Sequence, residues 1–224
     1  TGAPPEVRRC IDRTFVGSGA TLQRGVKALP LAGHQPLSDG HVDVAVAFVR
    51  DPAVRVASNL AQMRHEVKFM QHWDEAGQRA AAQGDADGFA RTAKGANCQA
   101  KMVLGHQCNA DVSVDDAESV AAAVARLRRF AFVGVTDRWH ESVCLFHAMH
   151  PRGPAVDPHR EFLNSRPSSA QRSGGEKARE ATVPLAPELE VADRALYRAA
   201  DALLDERLRK YSVSATAHGC TFGE

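Results

Sequence analysis

Three observations predict an α/β fold with a parallel sheet. The first is the run Val44 to Val49, continuously apolar, half of it β-branched, and ended abruptly by Arg50. An unbroken apolar run of that length is what a strand covered on both faces requires. The second is another such run, Phe130 to Thr136, which follows one amphipathic helical pattern and leads into a second. Helix, strand, cap and helix in succession make an α/β crossover unit. The third is size, since 224 residues suit one domain, or one domain with a tail, and can bury a sizeable core. A single domain over 1–224 is therefore expected.

In chain order, residues 1–28 read as an irregular lead-in, with Pro4-Pro5 and the Arg8-Arg9 pair. Gly17-Ser18-Gly19-Ala20-Thr21 reads as a turn: no Lys follows the glycines as a phosphate loop of the Gly-x4-Gly-Lys-Ser/Thr type demands. Leu29 to Leu37 is a short apolar segment containing Gly33-His34, and Ser38-Asp39-Gly40 is a turn ahead of the first strand. Asp51 is a natural N-cap and Pro52 suits a first helical turn, so a helix is predicted from Pro52 to about His72. Leu60, Met63, Val67 and Met70 give it a buried stripe. Residues 74–94, with Gly77, Gly84 and Gly88, read as short helices joined by turns. Residues 95–105 read as a helix stopped by Gly105, with Gln99 toward the cleft and Lys101 in solvent.

The helix from Asp115 to Arg129 carries its acids early and its arginines late, as the helix dipole favours. Thr136 or Asp137 is expected to cap the helix Arg138–His150. Residues 151–187 are rich in Pro, Ser, Gly and Arg and read as a long loop, either a connector or a lid bringing Arg166, Arg172 and Lys177 over an anion. Residues 188–211 form a closing helix, and the tail from Ser212 carries no signal.

Composition restricts the function. A formal net charge of +1, with 25% charged and 44% hydrophobic residues, argues against bulk binding to nucleic acid or membrane, so any anion site is local. No apolar run is long enough to span a bilayer. The ten histidines and five cysteines show no spacing typical of zinc sites, and no metal is expected. The cysteines read as buried or idle thiols, with at least one of the five unpaired within the chain; the alternative is a short disulfide loop between Cys98 and Cys108 in an oxidising lumen.

The residues with chemical interest cluster at the end of the first strand. Arg50 stands at its carboxyl end, where open α/β sheets bind ligands, and helical spacing puts Arg55 and Ser58 on one face of the following helix. Two guanidinium groups, a hydroxyl and a helix N-terminus make a site for a phosphate or sulfate. Taken alone, the two arginines also read as surface charges paired with Asp51 or Glu66.

The segment Arg50-Asp51-Pro52 with Arg55 and Ser58 resembles the 3′-phosphate-binding segment of sulfotransferases that use 3′-phosphoadenosine-5′-phosphosulfate (PAPS), especially the Golgi carbohydrate sulfotransferases. Further resemblances follow in the family's order: Gly33-His34 ahead of the strand, Asn97-Cys98-Gln99-Ala100-Lys101 with Leu104-Gly105, Phe132-Val133-Gly134-Val135-Thr136-Asp137 with Glu141-Ser142, and Asp193-Arg194-Ala195-Leu196-Tyr197. The resemblance implies a three-layer P-loop-like fold with a mostly parallel central sheet flanked by helices. It implies sulfuryl transfer from PAPS to a carbohydrate hydroxyl, with His34 as base, Arg50 and Ser58 on the donor 3′-phosphate and Arg55 in support. It also implies a Golgi lumenal location behind a membrane anchor outside this chain. The family's Lys that meets the 5′-phosphosulfate has no counterpart here unless Gly17–Leu22 is a degenerate version or the loop lies upstream. The alternative is a non-catalytic domain on the same scaffold that binds anionic ligands.

Overall fold

The computed structural model describes residues 39–65, 73–151, 156–162, 184–216 and 219–222. The chain is mixed α/β. A 3-10 turn over Asp39–Val44 leads into strand β1, Val46–Val49, and helix α1 begins at Pro52 and runs to His65. Asp51 caps α1: its Oδ1 accepts from the backbone N–H of Ala53 at 2.8 Å and of Val54 at 3.1 Å. That satisfies donors a helix start would otherwise leave unpaired. The rest of the predicted stripe beyond His65 lies outside the described residues, but Leu60 and Met63 are buried as expected.

Helices α2 (Glu75–Gln83) and α3 (Ala86–Ala90) are the short helices foreseen after α1, each capped by an aspartate. Asp74 accepts from Gly77 N–H and Asp85 from Gly88 N–H, and Gly84 closes α2 in the left-handed conformation that glycine adopts without cost. With α1 they enclose a small core of Val56, Leu60, Met63, Trp73, Ala81 and Phe89. The Trp73 and Phe89 rings lie 4.9 Å apart.

Helix α4 spans Cys98–Val103, and Gly105 follows it at a positive φ of 93°. The N–H of His106 reaches back to Lys101 C=O at 2.8 Å, which ends the helix as Gly105 promised. Helix α5 covers Ala117–Arg128, with Asp116 accepting from Ser119 N–H at 2.8 Å. Strand β2, Phe132–Val135, lies parallel to β1, in the register Val46 to Phe132 through Val49 to Val135. Neither Thr136 nor Asp137 caps the helix that follows. They form a 3-10 turn with Arg138, and α6 begins at Trp139 and ends at Met149 without a side-chain cap. Asp137 is engaged elsewhere, accepting from the Tyr197 hydroxyl at 2.8 Å.

Inside the predicted long loop, Pro158–Glu161 forms one helical turn, α7, fixed to α6 by the His147–Glu161 pair at 2.7 Å and by Trp139 Nε1 donating to Glu161 C=O at 2.6 Å. The lysine and arginines proposed for a lid lie outside the described residues. Helix α8, Val191–Lys210, packs on β2 and α5 and supplies Leu196, Ala200, Leu203, Leu204 and Leu208 to the main core with Leu127, Phe132, Val133, Val135 and Leu145.

The tail corrects the sequence reading. Val213–Thr216 (β3) and Gly219–Phe222 (β4) make an antiparallel hairpin against α6, and Cys220 is bonded to the fully buried Cys144. A second disulfide joins Cys98 to Cys108. These four cysteines are thus cross-links and not idle thiols. Among the described residues the sheets are one parallel pair and one hairpin. The α/β class stands on that pair.

Candidate functional site

The sequence directs attention to the carboxyl end of β1, and the structure separates the residues expected there. Arg50 is half-buried, immediately past β1, and Ser58 is half-buried in the second turn of α1. Asp51, between them, directs its carboxylate onto the first N–H groups of α1. Those donors are consumed by the chain's own cap, so the helix start offers its dipole but not its backbone N–H groups to a ligand. His34 lies outside the described residues.

Arg55 does not face a ligand. It is 6% exposed, and its guanidinium is enclosed by Glu190 at 2.7 Å, Asp193 at 3.2 Å and the Gly95 carbonyl at 3.3 Å. Its ion pairs are with α8, not with Asp51. Arg55 thus belongs to a buried charge cluster beneath the turn and leaves the set of donor ligands.

Two helix starts, far apart in the chain, build that cluster. Asn97 sits at the start of α4 and Glu190 at the start of α8, both in the left-handed region at φ 51° and 57°. Each helix start is then capped from the other. Asn97 Oδ1 accepts from the N–H of Ala192 at 3.0 Å and Asp193 at 3.1 Å, while Asp193 accepts from Gln99 N–H at 3.2 Å and Ala100 N–H at 2.7 Å. Glu190 accepts from Asn97 N–H at 3.0 Å. The carboxylates so used lie in the interior, Glu190 at 2% and Asp193 at 0% exposure, and burial without a counter-charge would be costly. Arg55 supplies that charge.

Lys101 lies in the same region at 1% exposure, contrary to the expectation of solvent. Its ammonium donates to the Ala93 carbonyl and, at 3.0 Å, to that of Ala110, and burial pulls its pKa below the ordinary lysine value. Gln99 does reach the end of β1. Its amide meets the backbone of Arg50, a role that resemblance alone did not reveal.

Glu190 makes stability depend on pH. Burial pushes its carboxyl up to about 7, against the pull of Arg55 and with help from the Asp193 charge. A carboxyl whose folded value is raised holds its proton more tightly in the folded chain. Its stabilisation is therefore complete below the unfolded value and is lost as pH rises from about 4.5 to about 7. In this window stability is expected to fall as pH rises. Urea unfolding at a series of pH values measures it. Glu190→Gln should flatten this leg, and a variant with the wild-type pH profile would contradict the assignment.

A shallow groove of about 630 Å³ runs along α5, lined by Asp115, Val120, Val124, Arg128 and Val191 among others, and includes none of Arg50, Arg55 and Ser58. Among the described residues no cluster of His, Cys, Asp and Glu is arranged to hold a metal ion, and no helix is long and apolar enough to cross a membrane. Comparison with protein families, with curated proteins and with solved structures gives no match for this chain.

Proposed function

We propose that this chain is a sulfotransferase that moves a sulfuryl group from PAPS to a hydroxyl of a carbohydrate acceptor. The observation that carries the reading is the passage from β1 through Arg50-Asp51-Pro52 into α1, with β2 in parallel register beside it. It puts a guanidinium at the carboxyl end of a parallel strand and a hydroxyl two turns into the next helix, where α/β folds bind ligands. Arg50 and Ser58 are the residues proposed to hold the donor 3′-phosphate. A guanidinium fork matches phosphate geometry, and the chain's near-neutral charge makes the site local. The full sheet of the proposed fold is the larger, mostly parallel, three-layer P-loop-like one. The Cys98–Cys108 and Cys144–Cys220 disulfides support an oxidising compartment, in keeping with a Golgi lumenal protein anchored outside this chain.

In the proposed reaction the acceptor oxygen attacks sulfur while His34 takes its proton. The bond from sulfur to the 5′-phosphate oxygen breaks, and 3′,5′-bisphosphoadenosine leaves with the electron pair. An alcohol is a weak nucleophile at neutral pH, so a base with an ordinary histidine pKa near ~6.5 suits the step. By analogy with phosphoryl transfer the transition state is loose, and positioning together with charge stabilisation does most of the work.

The second reading is a sulfotransferase-like domain that binds anionic ligands without turnover. It is favoured by the withdrawal of Arg55 into the interior. Transfer of radiolabelled sulfate from PAPS to a glycan panel separates the two. Wild type is expected to transfer, and His34→Ala to lose about 10²–10⁴-fold in rate while keeping donor affinity. Equal rates remove His34 from the mechanism. Donor binding without transfer by wild type establishes the second reading.

A further inference from the structure

The carboxyl end of β1 is finished by a side chain where a sheet would place another strand. In a parallel pair, alternate residues of a strand turn their N–H and C=O toward the partner, and the residues between turn theirs away. Phe132 N–H donates to the Ala45 carbonyl at 3.2 Å, and the register follows from Val46 with Phe132 to Val49 with Val135. Ala45, Ala47 and Val49 therefore face β2, and Arg50 presents its backbone on the outer edge with Val46 and Phe48. There the Gln99 amide closes on it. Gln99 Oε1 accepts from Arg50 N–H at 2.8 Å, and Gln99 Nε2 donates to the Arg50 carbonyl at 2.8 Å.

A primary amide carries an acceptor and a donor side by side, as a neighbouring strand would present them. The opposite edge of the sheet is treated likewise. Ser142 Oγ accepts from Val135 N–H at 2.9 Å and donates to the Val135 carbonyl at 3.1 Å. Gln99 is also held from behind. Its second Nε2 proton points to Asp193 at 3.4 Å, which fixes which end of the amide is nitrogen. Asp193 takes the N–H groups of Gln99 and Ala100 and is itself paired with Arg55. A chain of polar contacts thus runs from the buried cluster to the backbone of Arg50.

We propose that Gln99 is a positioning residue. It fixes the backbone of Arg50, and with it the direction of the guanidinium, so that anion affinity carried by Arg50 depends on Gln99. The role rests on the reading of Arg50 as a ligand of the donor's 3′-phosphate. Gln99 touches no ligand and acts only through the residue it clamps. Glutamate in its place still accepts from Arg50 N–H through one oxygen but turns its other oxygen, where the amide nitrogen donates, toward both the Arg50 carbonyl and Asp193.

The test combines titration calorimetry with 3′,5′-bisphosphoadenosine and hydrogen exchange at the Arg50 amide. It compares wild type, Gln99→Ala, Gln99→Glu, Arg50→Ala and the double variant Arg50→Ala/Gln99→Ala. Gln99→Ala and Gln99→Glu are expected to weaken binding about tenfold, and Gln99→Ala to speed exchange at Arg50, with exchange in β2 and α8 unchanged as evidence of an intact fold. In the Arg50→Ala background the loss of Gln99 should add less than about twofold, because coupled residues are not additive. A full, additive tenfold loss in that background, or wild-type exchange at Arg50 in Gln99→Ala, overturns the positioning role. A wild type that binds no bisphosphoadenosine overturns the reading of the site itself, a failure separate from that of the clamp.

Discussion

Arg55→Leu is expected to destabilise the protein by about 3–5 kcal/mol, the range measured when one partner of a buried ion pair is removed. The size follows from what is left behind. Glu190 and Asp193 are both buried, and both would lose their counter-charge at 2.7 and 3.2 Å. Neither carboxylate can turn to water, because each is also fixed to the other helix start by backbone N–H groups. Arg55→Lys should recover only part of the loss. An ammonium is a point donor, whereas Arg55 reaches Glu190 and the Gly95 carbonyl through Nη2 and Asp193 through Nε. Urea unfolding of the two variants beside wild type measures both. A loss below about 1 kcal/mol for Arg55→Leu would place the pair among exposed salt bridges and contradict its burial.

The second large effect is expected at the other end of the molecule. Removing the Cys144–Cys220 bond, as Cys144→Ala with Cys220→Ala, should cost about 2–5 kcal/mol. The cross-link joins cysteines 76 positions apart, so it removes much freedom from the unfolded chain. It also fixes a two-stranded hairpin, a structure that is marginal in isolation. β3 alternates half-buried and exposed residues, β4 runs from two half-buried to two exposed ones, and neither buries a side chain fully, so the bond to α6 is their firmest hold. Amides of 213–222 should exchange rapidly in the variant while those of β2 and α8 remain slow. Retained protection across the hairpin would show that packing on α6 suffices without the bond.

The elements that sequence shows well are those whose signals are local. An apolar run ended by Arg50, a cap at Asp51 and a proline after it locate β1 and α1, since strand burial, capping and proline geometry each act within a few residues. The same holds for Gly105 after α4. What sequence does not show is long-range pairing. Arg55 and Lys101 look like surface residues, because nothing near them announces the carboxylates and carbonyls that let them be buried. Glu190 and Asp193, which decide the fate of Arg55, lie far along the chain in α8. Cys144 and Cys220 have no diagnostic spacing, one in a helix and the other in a strand. The C-terminal hairpin escapes for a related reason: its short strands mix small and polar residues, and a distant bond and a helix surface hold it.

The candidate site divides in the same way. The position of Arg50 at a strand end is legible, as is Ser58 on the helix beyond. The interior role of Arg55 is not, because spacing along one helix face is the same for a ligand and for a buried ion pair. The Gln99 clamp is visible as a residue in a resembling segment, but its partner is the backbone of Arg50, which has no sequence signature.

The most direct measurement compares the affinity of wild type and Arg50→Ala for 3′,5′-bisphosphoadenosine and for adenosine 5′-monophosphate, which lacks the 3′-phosphate. Wild type should bind the bisphosphate at least about tenfold more tightly, and Arg50→Ala should erase that preference, a difference of about 1.4 kcal/mol assigned to one phosphate contact. Equal affinity of wild type for the two nucleotides, or a preference that survives Arg50→Ala, would contradict the account.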